Sequence, residues 1–378
     1  MAVLGCLDRF DNTIAGWAYD SDMPGQAIEV TVESDSCEIY RSNADLYRAD
    51  LLGAIGECDH GFSFDLLVVR PDANELILNV FALGKEKVLL GGGFWKSTDI
   101  AVEGKDGWLF LNADSNDVNA VISGSKPIDD DQVSECALLF ATRAAMLKQL
   151  GIAYQSVIMP EKNVVHARHR HNSSVSEIRP AVLISDLTKE YGCDLIYPLN
   201  DFLQGGPFFH KTDTHVNAAG YELVFSCLQQ AQFSLFGNIS LPDPSRNESF
   251  CGDLGNKFTP PKFEETNEYV FPTHLDNFTL IDPIPGLLES GDTLRGASVR
   301  TYYSDAPRGK AIVFGTSSAY GFLPLLCQVF KEVFFIWENT FDYRAIYKFK
   351  PELVLHIVSE RFLPISCNDL LGIHALDI

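Results

Sequence analysis

Two short stretches place groups capable of acyl transfer where a fold could bring them together. In "GKAIVFGTSSAYGFLPLL" (309–326), an apolar run, 311–314, stops at Gly315, and Ser317 and Ser318 open a segment with helical spacing. A serine on that turn has helix N-terminal amides beside it, suited to negative charge developing on an oxyanion. The Ser317 amide, with Gly315, is the expected source of that stabilisation. A hydroxyl still needs a base, and "KTDTHVNAAGYELV" (211–224) offers Asp213 and His215 one residue apart, just before a helix that Asn217 can cap. One loop would hold the carboxylate on one imidazole nitrogen and leave the other free for Ser317, with Ser318 as the alternative nucleophile. Serines at such turns also serve as caps and Asp-x-His also arises by chance, so either stretch alone leaves a structural role open. No G-x-S-x-G surrounds Ser317, which removes the α/β-hydrolase elbow as a template.

The elements that must position these groups alternate between strand and helix. After residue 99 a helix is expected over 129–150, a strand at 153–160, a helix near 178–191 and a strand at 194–199. Another helix begins near Ala218. The rhythm resumes with strands at 311, 333–337 and 353–358 and a final helix. This predicts a three-layer α/β domain with a parallel sheet, whose active residues gather at the carboxyl ends of its strands. Residues 1–92 instead show short alternating runs separated by turns, as in "AIEVTVE" (27–33) and "ELILNVFAL" (75–83), and read as a small antiparallel β-sandwich. "LLGGGFWKSTD" (89–99) reads as the linker. The α/β domain is then 93–378, with an irregular insertion at 238–308 that is rich in Pro, Asn and Asp.

Other residues border the expected cleft. Lys162 directly follows a strand end, and Glu360 and Arg361 follow the strand at 353–358. Arg361 fits either a cleft lining or a buried ion pair. "PEKNVVHARHRH" (160–171) concentrates basic residues, as a patch for an anionic donor or as a solvated loop. Ligands so close together, without a carboxylate or cysteine at ligand spacing, argue against a metal there, and no metal is expected. His356 reads as core and Trp108 as a packing residue.

The bulk numbers narrow the partners. With 29 Lys and Arg against 51 Asp and Glu, the net charge is −22, which disfavours nucleic acid and anionic lipid. The first twenty residues lack a secretion pattern, and no apolar run reaches membrane-span length. Nine scattered cysteines without C-x-x-C spacing read as reduced, mostly buried thiols. A cytoplasmic location is expected, or a periplasmic one if a leader has been removed.

Five stretches together resemble a known family. "VEGKDGWLFL" (102–111), "VIMPEKNVV" (157–165), "TDTHVNAAG" (212–220), "VFGTSSAYGFLPLL" (313–326) and "KPELVLHIVSER" (350–361) occur in the order found in SGNH-hydrolase-like O-acetyltransferases of the alginate AlgX/AlgJ type. The resemblance covers roughly 100–365. It implies transfer of an acetyl group to a sugar hydroxyl through an acetyl-serine, with Asp213, His215 and Ser317 as the triad. It implies polysaccharide biosynthesis, with partner proteins of that process. Members outside the cytoplasm take acetyl groups from a membrane partner, whereas a cytosolic version could use acetyl-CoA as co-substrate. Two positions depart from the pattern: G-D-S-F is here Gly315-Thr316-Ser317-Ser318, and the Trp after the histidine is Val216. "GCLDRFDNTIAGWAYD" and "ADLYRADLLGAIGECDHGFSFDL" also resemble the β-domain attached to bacterial glycosyltransferases. An esterase on the same triad, or a catalytically inactive glycan-binding or scaffold protein, are the alternative functions.

Overall fold

The computed structural model describes residues 3–70, 75–96, 99–126, 128–171, 174–282, 297–363 and 369. The chain forms two compact units, one of Met1–Asp114 with His169–Asn172 and one of the remaining residues.

In the first unit, alternating sequence produces two four-stranded antiparallel sheets. One contains Val3–Phe10, Thr13–Asp20, Asp59–Asp65 and Leu46–Tyr47; the other contains Cys37–Asn43, Glu29–Ser34, Glu75–Leu83 and Lys87–Lys96. Every second residue turns inward, so Ile14, Phe62, Val30, Val80 and Trp95 meet in one apolar core drawn from both sheets. The expected linker is therefore mostly strand. Its glycines permit close packing: a Cβ on Gly92 would sit 2.3 Å from the Leu78 carbonyl oxygen, and one on Gly91 would sit 3.0 Å from the Leu7 side chain. Residues 97–98 of that stretch lie outside the described residues.

The second unit is built on a seven-stranded sheet. Its spatial order is Leu195–Ile196, Ala153–Met159, Leu353–Ser359, Arg308–Gly315, Phe330–Ile336, Ser298–Tyr303 and Phe278–Ile281. The first five run parallel, and the last two are antiparallel. The sheet is thus mixed, where a parallel one was expected. The two extra strands come from 238–308, a segment too polar to show strand periodicity because both strands are only partly buried. The same segment supplies a hairpin, Ser245–Phe250 with Glu264–Glu268. Part of it, 283–296, lies outside the described residues, as does most of the expected final helix.

The central strands are buried on both faces, which explains their unbroken apolar runs. Ile312 and Phe314 pack on one face against Leu147, Phe341 and Ile346. The helix Asp130–Gln149 begins in a reciprocal cap between Asp129 and Gln132. It lies with Pro180–Glu190 over Ile158 and Val358. On the opposite face, Phe225 of helix Ala218–Ala231 contacts Phe322 and Phe236. The three-layer arrangement leaves the carboxyl ends of Ala153–Met159, Leu353–Ser359 and Arg308–Gly315 side by side.

Candidate active site

Ser317 follows Arg308–Gly315 and opens a four-residue helical turn, Ser317–Tyr320. The strand reaches that turn past the carbonyl of Ile357, and Gly315 is what lets it pass. Its φ is +155°, and a Cβ there would lie 2.0 Å from the Ile357 oxygen. Gly315 is thus paired in the sheet opposite Ile357, where its missing side chain is its clearest contribution.

The Asp213–His215 loop precedes Ala218–Ala231, whose first turn is capped by Asn217 through a bond from the Gly220 amide at 3.2 Å. The loop turns back on itself: the His215 amide donates to Asp213 Oδ1 at 2.9 Å. The ring then follows its backbone, with Nδ1 2.6 Å from Asp213 Oδ1 and Nε2 2.8 Å from Ser317 Oγ. Carboxylate, imidazole and hydroxyl form one hydrogen-bonded chain in the order that base activation needs. Burial alone would push His215 down, but the Asp213 hydrogen bond and charge, aided by Asp253, outweigh it and hold it above 6.5. Burial acts against ionised Asp213 too, yet His215 and the amides of Asp253 and His215 hold its carboxyl well below the usual range.

The other expected residues are placed differently. Ser318 turns away and shares a hydrogen bond with Ser359 Oγ at 2.9 Å. Lys162 is buried beneath the loop, and its Nζ donates to the carbonyls of Lys211 at 2.8 Å and Asp213 at 2.9 Å. It supports the Asp-His loop from below. Burial lowers its pKa to about 7. Arg361 is held by both carboxylate oxygens of Glu161 at 3.0 Å, the ion-pair arrangement of the two read from the sequence. Its positive charge reaches His215 and opposes imidazole protonation. Glu360 is fully buried and pairs with Arg179 at 2.6 Å.

The basic stretch at 160–171 is solvated only in part, with Arg168 and His171 exposed. Lys162, His166 and Arg170 are buried, and His166 sits edge-on to Phe209. Apolar neighbours from Met159 to Val165 carry the segment inward. Trp108 is packed against His169, and His356 is core, 2% exposed. Of the eight described cysteines, all free, only Cys193 and Cys327 are buried. "Mostly buried" is therefore corrected: Cys6 and Cys37 are exposed, Cys6 because the alternation of its strand turns it outward.

Sequence reasoning missed what the 238–308 segment does here. Asp253 donates its amide to Asp213 Oδ2 at 2.7 Å and takes bonds from the Thr214 amide and hydroxyl at 2.7 and 2.5 Å. Glu264 receives the amides of Lys211 and Thr212 at 2.9 and 2.6 Å. Close approach is possible because Gly252 lacks a Cβ, which would lie 2.4 Å from the Thr212 oxygen. The run "CGDLG" (251–255) was the available signal, two glycines bracketing an acid. Asp213, His215 and Asp253 are close enough to share a cation. Both imidazole nitrogens, however, and the oxygens of both carboxylates are engaged in the hydrogen bonds just described. The donor set therefore fits proton transfer better than metal ligation.

A cleft of about 310 Å³ opens over Ser317, and Glu268, Tyr269, Tyr320 and Trp337 are among its walls. Val216, at the position of the family's Trp, is 2% exposed and packs under the loop against Gly220.

A serine at a strand end, backed by an Asp-His loop on a layered α/β sheet, is the SGNH-hydrolase-like arrangement. Residues 101–231 match the family described as "SGNH hydrolase-like domain, acetyltransferase AlgX". That segment contains Asp213 and His215 and ends before Ser317. The chain is 25% identical over 323 residues to the probable alginate O-acetylase AlgJ of Pseudomonas syringae pv. tomato, covering 74% of this chain and 75% of that protein. The resemblance to O-acetyltransferases of the AlgX/AlgJ type is borne out by both. Among solved structures, Bacillus cereus PatB1 superposes with a TM-score of 0.48 at 17% identity, covering 71% of this chain and 98% of that one. The O-acetyltransferase domain of Pseudomonas putida AlgJ gives 0.44 at 20% identity, covering 71% and 93%.

Proposed function

We propose that this protein is a carbohydrate O-acetyltransferase of polysaccharide biosynthesis that works through an acetyl-serine at Ser317. The observation that carries the reading is the unbroken hydrogen-bonded chain from Asp213 through His215 to Ser317. His215 takes the hydroxyl proton as Ser317 Oγ attacks the carbonyl carbon of an acetyl ester or thioester. The carbonyl electrons move to oxygen, giving a tetrahedral oxyanion beside the Ser317 amide. They return as the leaving alcohol or thiol departs with the proton from His215. A sugar hydroxyl then enters, gives its proton to His215 and attacks the acetyl-serine; the serine leaves reprotonated, and the sugar ester is released. Asp213 fixes the tautomer and steadies the imidazolium in both halves.

Acetyl-CoA is the soluble donor we favour, and partner proteins of polysaccharide synthesis would supply the acceptor. Among the described residues no helix is long and apolar enough to cross a membrane. The free thiols favour a reducing compartment, the cytoplasm.

The test is acetyl release from a chromogenic acetyl ester with and without sugar acceptors. Sugar-dependent formation of an O-acetylated product supports transfer. Release to water indifferent to any sugar would make the protein an esterase, and no release at all would leave it a binding or scaffold protein.

A further inference from the structure

Two large aromatic side chains stand open at the mouth of the cleft. Trp337 is 46% exposed and Tyr320 41%, and their rings stack with centroids 6.5 Å apart at 24°. Both are placed by the elements that place the nucleophile. Trp337 directly follows Phe330–Ile336, and Ile336 pairs with Phe314, so Trp337 emerges level with the turn carrying Ser317. Tyr320 lies three residues after Ser317 in the same helical turn, on the same face. Phe335 braces the pair, 6.0 Å from Tyr320 and 6.1 Å from Trp337. Leaving so much aromatic surface in water at a nucleophile's door needs an occupant.

The charges around the cleft say what kind. Asp213 and Glu268 face it, and no lysine or arginine is among the described residues that line it. Its other histidine, His210, is kept neutral, since burial lowers its pKa to about 4. Two cations close to the Asp-His loop are engaged elsewhere: Arg361 by Glu161, and Lys162 beneath the loop. An acceptor bearing carboxylates would bring negative charge to two carboxylates with no lysine or arginine among the described lining residues to pair with it. An uncharged pyranose suits both features. Its C–H face packs on an aromatic ring, and its hydroxyls donate to carboxylate oxygens.

We propose that Trp337 and Tyr320 form the acceptor subsite for an uncharged sugar ring, with Glu268 receiving its hydroxyls, and that this site discriminates against polyuronates. The role as acceptor subsite rests on the acetyl transfer proposed above; the binding itself does not.

Binding is read on the Ser317→Ala protein, which cannot turn over, by calorimetric titration with maltohexaose, cellohexaose and mannohexaose against hexamannuronate. At least one neutral hexaose binds and hexamannuronate does not. Trp337→Ala weakens that binding about tenfold or more, and Trp337→Phe restores most of it. Preference for hexamannuronate, binding indifferent to Trp337→Ala, or failure of every neutral hexaose to bind would overturn the proposal. Acetyl-serine formation on the wild-type chain is read separately. If it fails while Trp337-dependent binding persists, the transfer chemistry falls and the sugar site stands. If it forms while sugar binding ignores Trp337, the subsite alone falls.

Discussion

His215 Nε2 lies 2.8 Å from Ser317 Oγ although 102 residues separate them. The turn after strand Arg308–Gly315 and the loop before helix Ala218–Ala231 converge to make that contact. Since only neutral imidazole can take the serine proton, and His215 is held above 6.5, the rate should fall as pH drops through a pKa higher than that of free histidine. Asp213→Asn removes the hydrogen bond and charge that raise it. The acid limb of the pH–rate profile then moves down, and kcat falls by about ten-thousand-fold with the fold intact.

Asp253 touches neither the serine nor the imidazole, yet it holds the loop and adds to the charge that raises His215. Asp253→Asn should lower kcat by roughly tenfold and shift the acid limb toward lower pH. A kcat loss with an unmoved acid limb would mean that Asp253 acts on geometry alone.

Lys162 contributes to the pH dependence of stability. Below about 7 its charge is present in both folded and unfolded chains, and the folded state bears the cost of burying it. Between about 7 and 10.5 the unfolded chain binds a proton that the folded chain does not, so this group makes stability rise with pH. The rise is at most about 1.4 kcal/mol per pH unit. Denaturant melts of Lys162→Met across that range should lack this slope, and kcat should drop about tenfold or more as the Lys211 and Asp213 carbonyls lose their donor.

Gly315→Ala forces a Cβ against the Ile357 carbonyl at a φ that other residues rarely adopt. Urea denaturation should show a loss of roughly 3 kcal/mol, with acetyl turnover falling alongside as the turn shifts.

Legibility from the sequence followed burial. The strand at 311–314 and its neighbour at 353–358 announced themselves because both faces are covered. The Asp-x-His loop and the turn serine were visible because a nucleophile and its base keep chemical identities that spacing reveals. Ser298–Tyr303 and Phe278–Ile281, the last two strands on that side of the sheet, were hidden because both are only partly buried and mix polar and apolar residues without a strong period. Asp253 and Glu264 were hidden for another reason: they act on backbone amides of a distant loop, a relation that exists only once the chain has folded. Lys162 lies beneath the Asp-His loop, and nothing in its sequence neighbours told whether its ammonium would face the cleft or that loop.

The central claim is that the hydroxyl at 317, and not its neighbour, carries the acetyl group. Intact-protein mass spectrometry after exposure to a reactive acetyl ester, with peptide mapping, reads this directly. Wild type and Ser318→Ala should each gain one acetyl group on the peptide containing residue 317, and Ser317→Ala should gain none there. An adduct on Ser317→Ala at the same rate as wild type, or none on wild type under any donor that is hydrolysed, would contradict the account.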